Sequence, residues 1–370
     1  MHDSAITPRA EIKASPAAHH GALDYTELEI LGICPEELLD FSVNSNPFGT
    51  SPRVLEAMQA VPVDRYPDRD AVMLRRMLSR RYAMDPNRIL VGNGTSELIQ
   101  LISFAYLSKG DIVLILAPTF GEYQRSAGLM GAQVREIFSG AEQDFQVDEA
   151  SLRRELQQHP PKIVFLCNPN NPTGTLLPAD LIAGWAREFP RTLFVVDEAY
   201  MAFADRDETL ITCREDNLLV LRSMTKDYAL AGLRLGYTVG SEAVIEAVGR
   251  VRPAWNVNAL AQAAGAAALQ DEGYLQETLK KLTDARDQFR QELENLGAKL
   301  APSAAHYFLV KVGNGAACRS ELLKEYIQVR DCHSFDLPAY IRIATKQPQE
   351  NSRLVAALQM LEQKRGSLIF

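Results

Sequence analysis

Six short apolar runs between residues 88 and 239 constrain this chain more than any other feature. They cover 88–92, 112–117, 163–167, 193–196, 218–221 and 235–239, and each is followed closely by Gly, Pro, Asn, Asp or a hydroxyl residue. A strand with one wet face alternates apolar and polar residues. Strands apolar at consecutive positions are covered on both faces, as in a mostly parallel sheet flanked by helices. Helical stretches separate the runs, so the pattern predicts an α/β domain with a sheet of six or more strands.

The character changes after Trp255. Leu275, Leu279, Leu282, Ala285, Phe289, Leu293 and Leu296 recur at steps of three and four, which predicts one long amphipathic helix ending near Gly297. Strand-like runs at 307–312 and 340–344 and a last helix from about Gln349 complete a smaller α+β domain. The 370 residues suffice for two domains. The expected division is an arm or lid over 1–50 joining the small domain, a large domain over 51–255 and a small domain over 256–370.

The net charge of −8 and pI of 5.4 argue against nucleic acid or an anionic membrane as the main partner. The alanine-rich run 258–269 is too short to span a bilayer, and residues 1–21 hold no apolar core of signal-peptide length. Cys34, Cys167, Cys213, Cys318 and Cys332 form no CxxC pair. No metal site is expected, and a reduced cytoplasmic protein is the reading that follows.

In parallel α/β sheets ligands bind beyond the carboxyl ends of the strands, so the residues after each run carry the chemistry. The first run leads into Gly92-Asn93-Gly94-Thr95-Ser96-Glu97 and a helical stretch. Such a turn leaves N–H groups and a positive helix end for a phosphate; a tight turn capped by Thr or Ser is the plainer alternative. The third run leads into Asn168-Pro169-Asn170-Asn171-Pro172-Thr173-Gly174, where the prolines forbid a regular ladder and the asparagines can reach a ligand. The fourth leads into Asp197-Glu198-Ala199-Tyr200. A buried Asp needs a cationic partner, unless it serves as a helix cap. The fifth leads into Arg222-Ser223-Met224-Thr225-Lys226, with Arg234 following. Lys226 is either a surface charge or an amine tuned to form a Schiff base.

This order of motifs, GNGTSE, PTF, NPNNPTG, DEAY, SMTK and GLRLGY, resembles the fold-type-I pyridoxal-phosphate enzymes of the aminotransferase superfamily over nearly the whole chain. Within that superfamily it resembles histidinol-phosphate aminotransferases and the threonine-phosphate decarboxylases of the cobalamin pathway. The resemblance implies pyridoxal 5′-phosphate as cofactor and an aspartate-aminotransferase-like fold. Lys226 would form the Schiff base and shuttle protons, and Asp197 would pair with the pyridine nitrogen. Tyr200 and Asn171 would bond the phenolic oxygen, and Phe120 would stack on the ring. Gly94, Thr95, Ser96, Ser223 and Arg234 would hold the phosphate. Tyr66 resembles the tyrosine that reaches a neighbouring subunit's phosphate, which implies a homodimer with shared active sites. Arg342 resembles the arginine that clamps the substrate α-carboxylate. Arg330 would be a second anion contact or a surface salt bridge, and Asn44, His19 and His20 lie in a segment that would close over the substrate.

These shared motifs do not choose the reaction, because the Cα bond held perpendicular to the ring decides it. Tyr200 is the usual aminotransferase choice, and a histidinol-phosphate-type aminotransferase is the first expectation. Residues 39–47, 255–260 and 330–332, with His20-Gly21, instead resemble the decarboxylases. Elimination or cyclisation on an unphosphorylated amino acid is the third reading. A cofactor-binding regulator would need a spare DNA-binding module that this chain lacks, and a nicotinamide dehydrogenase would need a GxGxxG after its first strand.

Overall fold

The computed structural model describes residues 6–14 and 21–365. A seven-stranded sheet forms the centre: β1 (Ile89–Gly92), β2 (Ile112–Ala117), β3 (Gln133–Phe138), β4 (Ile163–Cys167), β5 (Leu193–Asp197), β6 (Leu218–Ser223) and β7 (Gly236–Val239). Their order across the sheet is β1-β7-β6-β5-β4-β2-β3, with β7 antiparallel to both of its neighbours and every other pairing parallel.

The consecutive apolar residues feed two cores, one on each face, by the two-residue alternation of strands. Val113, Ile115, Ile163, Phe165, Val195, Leu219 and Leu221 join one cluster with the helix Thr95–Tyr106. Leu114, Leu116, Val164, Leu166, Phe194, Val196 and Val220 join the other with Trp185 and Ile182 of the helix Ala179–Glu188. Emptying such a site by Phe→Ala or Trp→Ala costs ~3–5 kcal/mol. The seventh strand, β3, escaped the sequence reading. It is an edge strand pairing only with β2, it carries Arg135 and Glu136, and none of its residues is buried.

The small domain packs β8 (Lys299–Leu300), β9 (Tyr307–Lys311), β10 (Arg330–Asp331) and β11 (Tyr340–Ala344) in the order β10-β11-β9-β8. The helices Glu272–Asn295 and Pro348–Arg365 cover it. Ile341 and Ile343 point into this core with Phe289, Phe308 and Leu358. The domain boundary differs from the expected one after Trp255. The helix Ala259–Gln270 packs on the helices Pro52–Gln59 and Val72–Tyr82, and its Ala261 and Ala264 share a cluster with Ile89 and Val239 of the large sheet. The change of character therefore falls at the next helix.

The N-terminal segment crosses between the two bodies. Leu39–Asp40 pairs in parallel with Ile327–Gln328, and Phe41 is buried in the small-domain core. Five residues later the Asn46 N–H donates to the Lys226 carbonyl at 2.9 Å. No helix among the described residues is long and apolar enough to cross a membrane.

Candidate active site

Beyond the carboxyl ends of β4, β5 and β6, a cavity of about 470 Å³ is lined by Thr95, Asn171, Asp197, Lys226, Arg234 and Arg342, among others. Ser96, Phe120, Tyr200, Ser223 and Asn44 also reach it. Most of the residues singled out at the strand ends thus meet in one place.

One end is built for an anion. The helix Thr95–Tyr106 starts at Gly94, and no side chain caps it, so its first N–H groups are free for a ligand. Gly94 has φ +79°, and a Cβ there would meet Arg234 Nη2 at 2.9 Å. Only glycine lets the turn and the guanidinium approach so closely. Arg234 forms no ion pair within the described residues, and the Ser223 and Thr225 hydroxyls lie 2.6 Å apart beside it.

The centre holds a carboxylate and an amine. Asp197 ends β5, buried, and burial pushes its pKa up to about 6 against the opposing pull of a Tyr123 hydrogen bond. Lys226 is pushed down to about 8, first by burial and then by the cations Arg342 and Arg234. Burial lifts the Tyr200 phenol to about 12, so it stands as a neutral donor. Tyr123 is the site residue that sequence reasoning missed. Its Oη donates to Asp197 Oδ2 at 2.8 Å, yet in sequence it is one more aromatic at a helix start.

The far end belongs to the small domain. Arg342, buried on β11, donates to the side-chain oxygen of Asn171 and to the Ser42 carbonyl, and its Nε has no partner. No carboxylate pairs with it within the described residues. With one lone pair of its carbonyl oxygen taken by Arg342, Asn171 keeps its NH2 free to donate to a ligand. Gly21 crosses over this end: a Cβ there would meet the Ser42 carbonyl oxygen at 2.3 Å and Arg342 Nη2 at 3.3 Å. Neither polar atom of the buried Asn44 amide makes a well-formed hydrogen bond in the protein, although the amide faces the Tyr200 phenol. Buried polar atoms left unpaired are costly, so these groups are shaped for something that fills the cavity.

Two expected site side chains lie elsewhere. Arg330 lines an adjoining pocket, bonded to Ser334 Oγ at 2.6 Å and over the Phe335 ring, with Gly21, Ala22 and Ser42 as the shared wall. Register explains this: it pairs with Arg342 across β10 and β11 but belongs to the neighbouring strand. Tyr66 is 78% exposed and stacks on Trp255 at 4.6 Å, away from its own chain's cavity. His20, like His19, lies outside the described residues.

A pyridoxal phosphate fits these residues: the uncapped turn with Arg234 suits its phosphate, and the buried Asp197 lacks the cationic partner that a protonated ring nitrogen provides. The family model "Aminotransferase class I and II" matches residues 36–358. Histidinol-phosphate aminotransferase 2 of Pseudomonas aeruginosa is 34% identical over 337 residues, covering 89% of this chain and 90% of that protein. The crystal structure of histidinol-phosphate aminotransferase from Sinorhizobium meliloti, in complex with pyridoxal-5′-phosphate, superposes with a TM-score of 0.87 at 25% identity. That match covers 99% of this chain and 100% of the other. L-threonine-O-3-phosphate decarboxylase from Porphyromonas gingivalis superposes with a TM-score of 0.78 at 28% identity, covering 88% and 100%.

Proposed function

This chain belongs to the class I and II aminotransferases, and from that premise we propose that it is a pyridoxal-phosphate-dependent aminotransferase of the histidinol-phosphate type. The observation that carries the reading is the meeting of Lys226, Asp197, the Thr95 turn with Arg234, and an acid-free Arg342 on one cavity.

When bound, pyridoxal phosphate supplies a ring that accepts the electron pair released at the substrate Cα. The open turn at Thr95 and Ser96, the Ser223 hydroxyl and Arg234 bind its phosphate through charge-assisted hydrogen bonds. Asp197 would hold the ring nitrogen as the cation, Phe120 would cover the ring, and Tyr200 with the Asn171 NH2 would bond the phenolic oxygen. Lys226 would hold the cofactor covalently, and its freed Nζ would be the base that takes the proton from the substrate Cα and the acid that gives it back. An amine brought down to about 8 serves as a base near neutral pH. Arg342 presents a planar fork to the substrate's anionic group, and Asn44 fills its empty hydrogen-bond positions on the same ligand. Arg330 takes a second anionic group through the wall formed by Gly21, Ala22 and Ser42. Tyr66 serves a neighbouring copy in a cytoplasmic homodimer, a reading supported by its exposure and by its absence from the lining of its own cavity.

Mass spectrometry of products tests the reaction. With histidinol phosphate and 2-oxoglutarate, an oxo product and glutamate are expected in equal amounts. Carbon dioxide from threonine phosphate, with no oxo product from histidinol phosphate, would replace this reading by decarboxylation. An eliminated or cyclised product from an unphosphorylated amino acid would replace it by lyase chemistry.

A further inference from the structure

Asp197 is gripped by two donors of its own chain: the Tyr123 hydroxyl on Oδ2 at 2.8 Å and the Ala199 N–H on Oδ1 at 3.1 Å. Tyr123 is fully buried. Its ring lies parallel to Phe165 at 5.2 Å and edge-on to Phe120 at 5.6 Å. Phe165 belongs to β4, the strand next to the one that ends in Asp197. The hydroxyl oxygen therefore cannot leave Asp197 without unpacking two aromatic contacts.

We propose that Tyr123 is a positioning residue that decides where the proton shared by Asp197 and the cofactor's ring nitrogen resides. It holds Asp197 as the anion, so the nitrogen keeps the proton. The inference rests on the reading of Asp197 given above and goes beyond it, because it assigns the balance of that pair to a third residue.

A carboxylate and an aromatic nitrogen facing each other out of water share one proton, which settles on the more basic partner. Burial alone favours the neutral carboxyl and so pulls the proton toward Asp197. A hydrogen bond donated to the carboxylate favours its charged form and pushes the proton back. Tyr123 suits this task because burial raises its own pKa, so it stays a neutral donor.

The other groups near Asp197 are Cys167 on β4, Tyr200 after β5, Lys226 after β6 and Tyr307 on β9. The Cys167 thiol is turned to the Pro169 carbonyl at 3.2 Å, and the Tyr307 hydroxyl donates to the Asn170 carbonyl at 2.7 Å. Lys226 is claimed by the cofactor itself. That leaves Tyr123 as the side-chain donor to the carboxylate.

The test loads the protein with pyridoxal phosphate carrying ¹⁵N in the ring and reads the nitrogen's chemical shift by NMR. Wild type is expected to show a protonated nitrogen. Tyr123→Phe keeps both ring contacts and removes only the hydroxyl, so the proton should move toward Asp197 by ~ten- to a hundredfold. Phe165→Leu loosens the stack but keeps the hydroxyl and should shift the signal far less. An unchanged signal in Tyr123→Phe overturns the inference, and so does an equal change in both variants. Asp197→Asn separates this failure from failure of the underlying reading. It should leave the nitrogen unprotonated, and a nitrogen still protonated there would dismiss the Asp197 role itself.

Discussion

The guanidinium of Arg342 and the side-chain oxygen of Asn171 are hydrogen-bonded, although 171 positions separate them. The contact joins β11 of the small sheet to the loop after β4 of the large one. It orients the group read as the substrate clamp against a residue read as a cofactor ligand. A movement of the small domain would therefore shift Arg342 against the loop that carries Asn171, so this pair would couple the proposed clamp to the cofactor side of the cavity.

Arg342→Lys keeps the charge and loses the planar fork. It also strands the Asn171 oxygen or the Ser42 carbonyl, since an ammonium does not span both in the same geometry. Loss of a charge-assisted contact of ~1.5–3 kcal/mol should lower kcat/KM for a carboxylate donor such as glutamate about ten- to a hundredfold. Steady-state kinetics check this. Unchanged kcat/KM for glutamate in a folded variant would remove Arg342 from the substrate site.

Lys226→Ala removes the buried amine that faces Asp197 from the loop after β6. Borohydride treatment followed by mass spectrometry should fix the cofactor to the wild-type chain and leave the variant unlabelled, with turnover nearly lost. Labelling of Lys346, the other partly buried lysine nearby, with activity retained would transfer the role.

Much of this site was legible because the strands that carry it are apolar at consecutive positions. That pattern alone puts Asp197 at the end of one buried strand and Lys226 just beyond another. Arg342 comes from the resemblance, and the fold agrees with it: Ile341 and Ile343 on either side point into the small-domain core while Arg342 lines the cavity. What stayed hidden depends on distant contacts. Tyr123 reads as core because its value lies in one hydroxyl meeting a residue 74 positions away. The stack of Tyr66 on Trp255 is equally long-range, and Arg330 reaches a pocket beside the cavity because two arginines paired across neighbouring strands face different pockets. The helix Ala259–Gln270 misled for a different reason. Its alanine-rich sequence has no strong apolar stripe, so nothing local tells which body it packs on.

Tyr66 and Lys226 should complement one another if each cavity takes Tyr66 from a second copy. Tyr66→Phe and Lys226→Ala homodimers would both be impaired, and mixing them should restore activity in one of the two hybrid sites. The dimer should be seen by sedimentation at micromolar concentration. A fully active monomer there would refute the sharing.

The charges at the centre of the site also make a prediction about the cofactor-free protein. Burial raises Asp197 from 3.8 to about 6, so between these values the folded state binds a proton more tightly than the unfolded chain. Stability must therefore fall as pH rises through that window and stay lowered above it. Lys226, lowered from 10.5 to about 8, works in the opposite sense. The unfolded chain binds its proton more tightly between those values, so stability is lowered below 8 and recovers as pH climbs toward 10.5. Asp197→Asn abolishes the first effect while keeping the shape. At pH 7 the cofactor-free variant should be more stable than wild type by about 1–3 kcal/mol, the lower end applying if lost attraction to Lys226 offsets part of the gain. At pH 4, where the wild-type carboxyl is protonated as well, the difference should nearly vanish. Loading pyridoxal phosphate should reverse the order at pH 7, because the wild-type carboxylate then has a cationic partner and the variant does not. Denaturant melts at pH 4 and 7, with and without cofactor, measure all four states. A cofactor-free variant no more stable than wild type at pH 7 would mean that Asp197 is not the buried, uncompensated carboxylate described here.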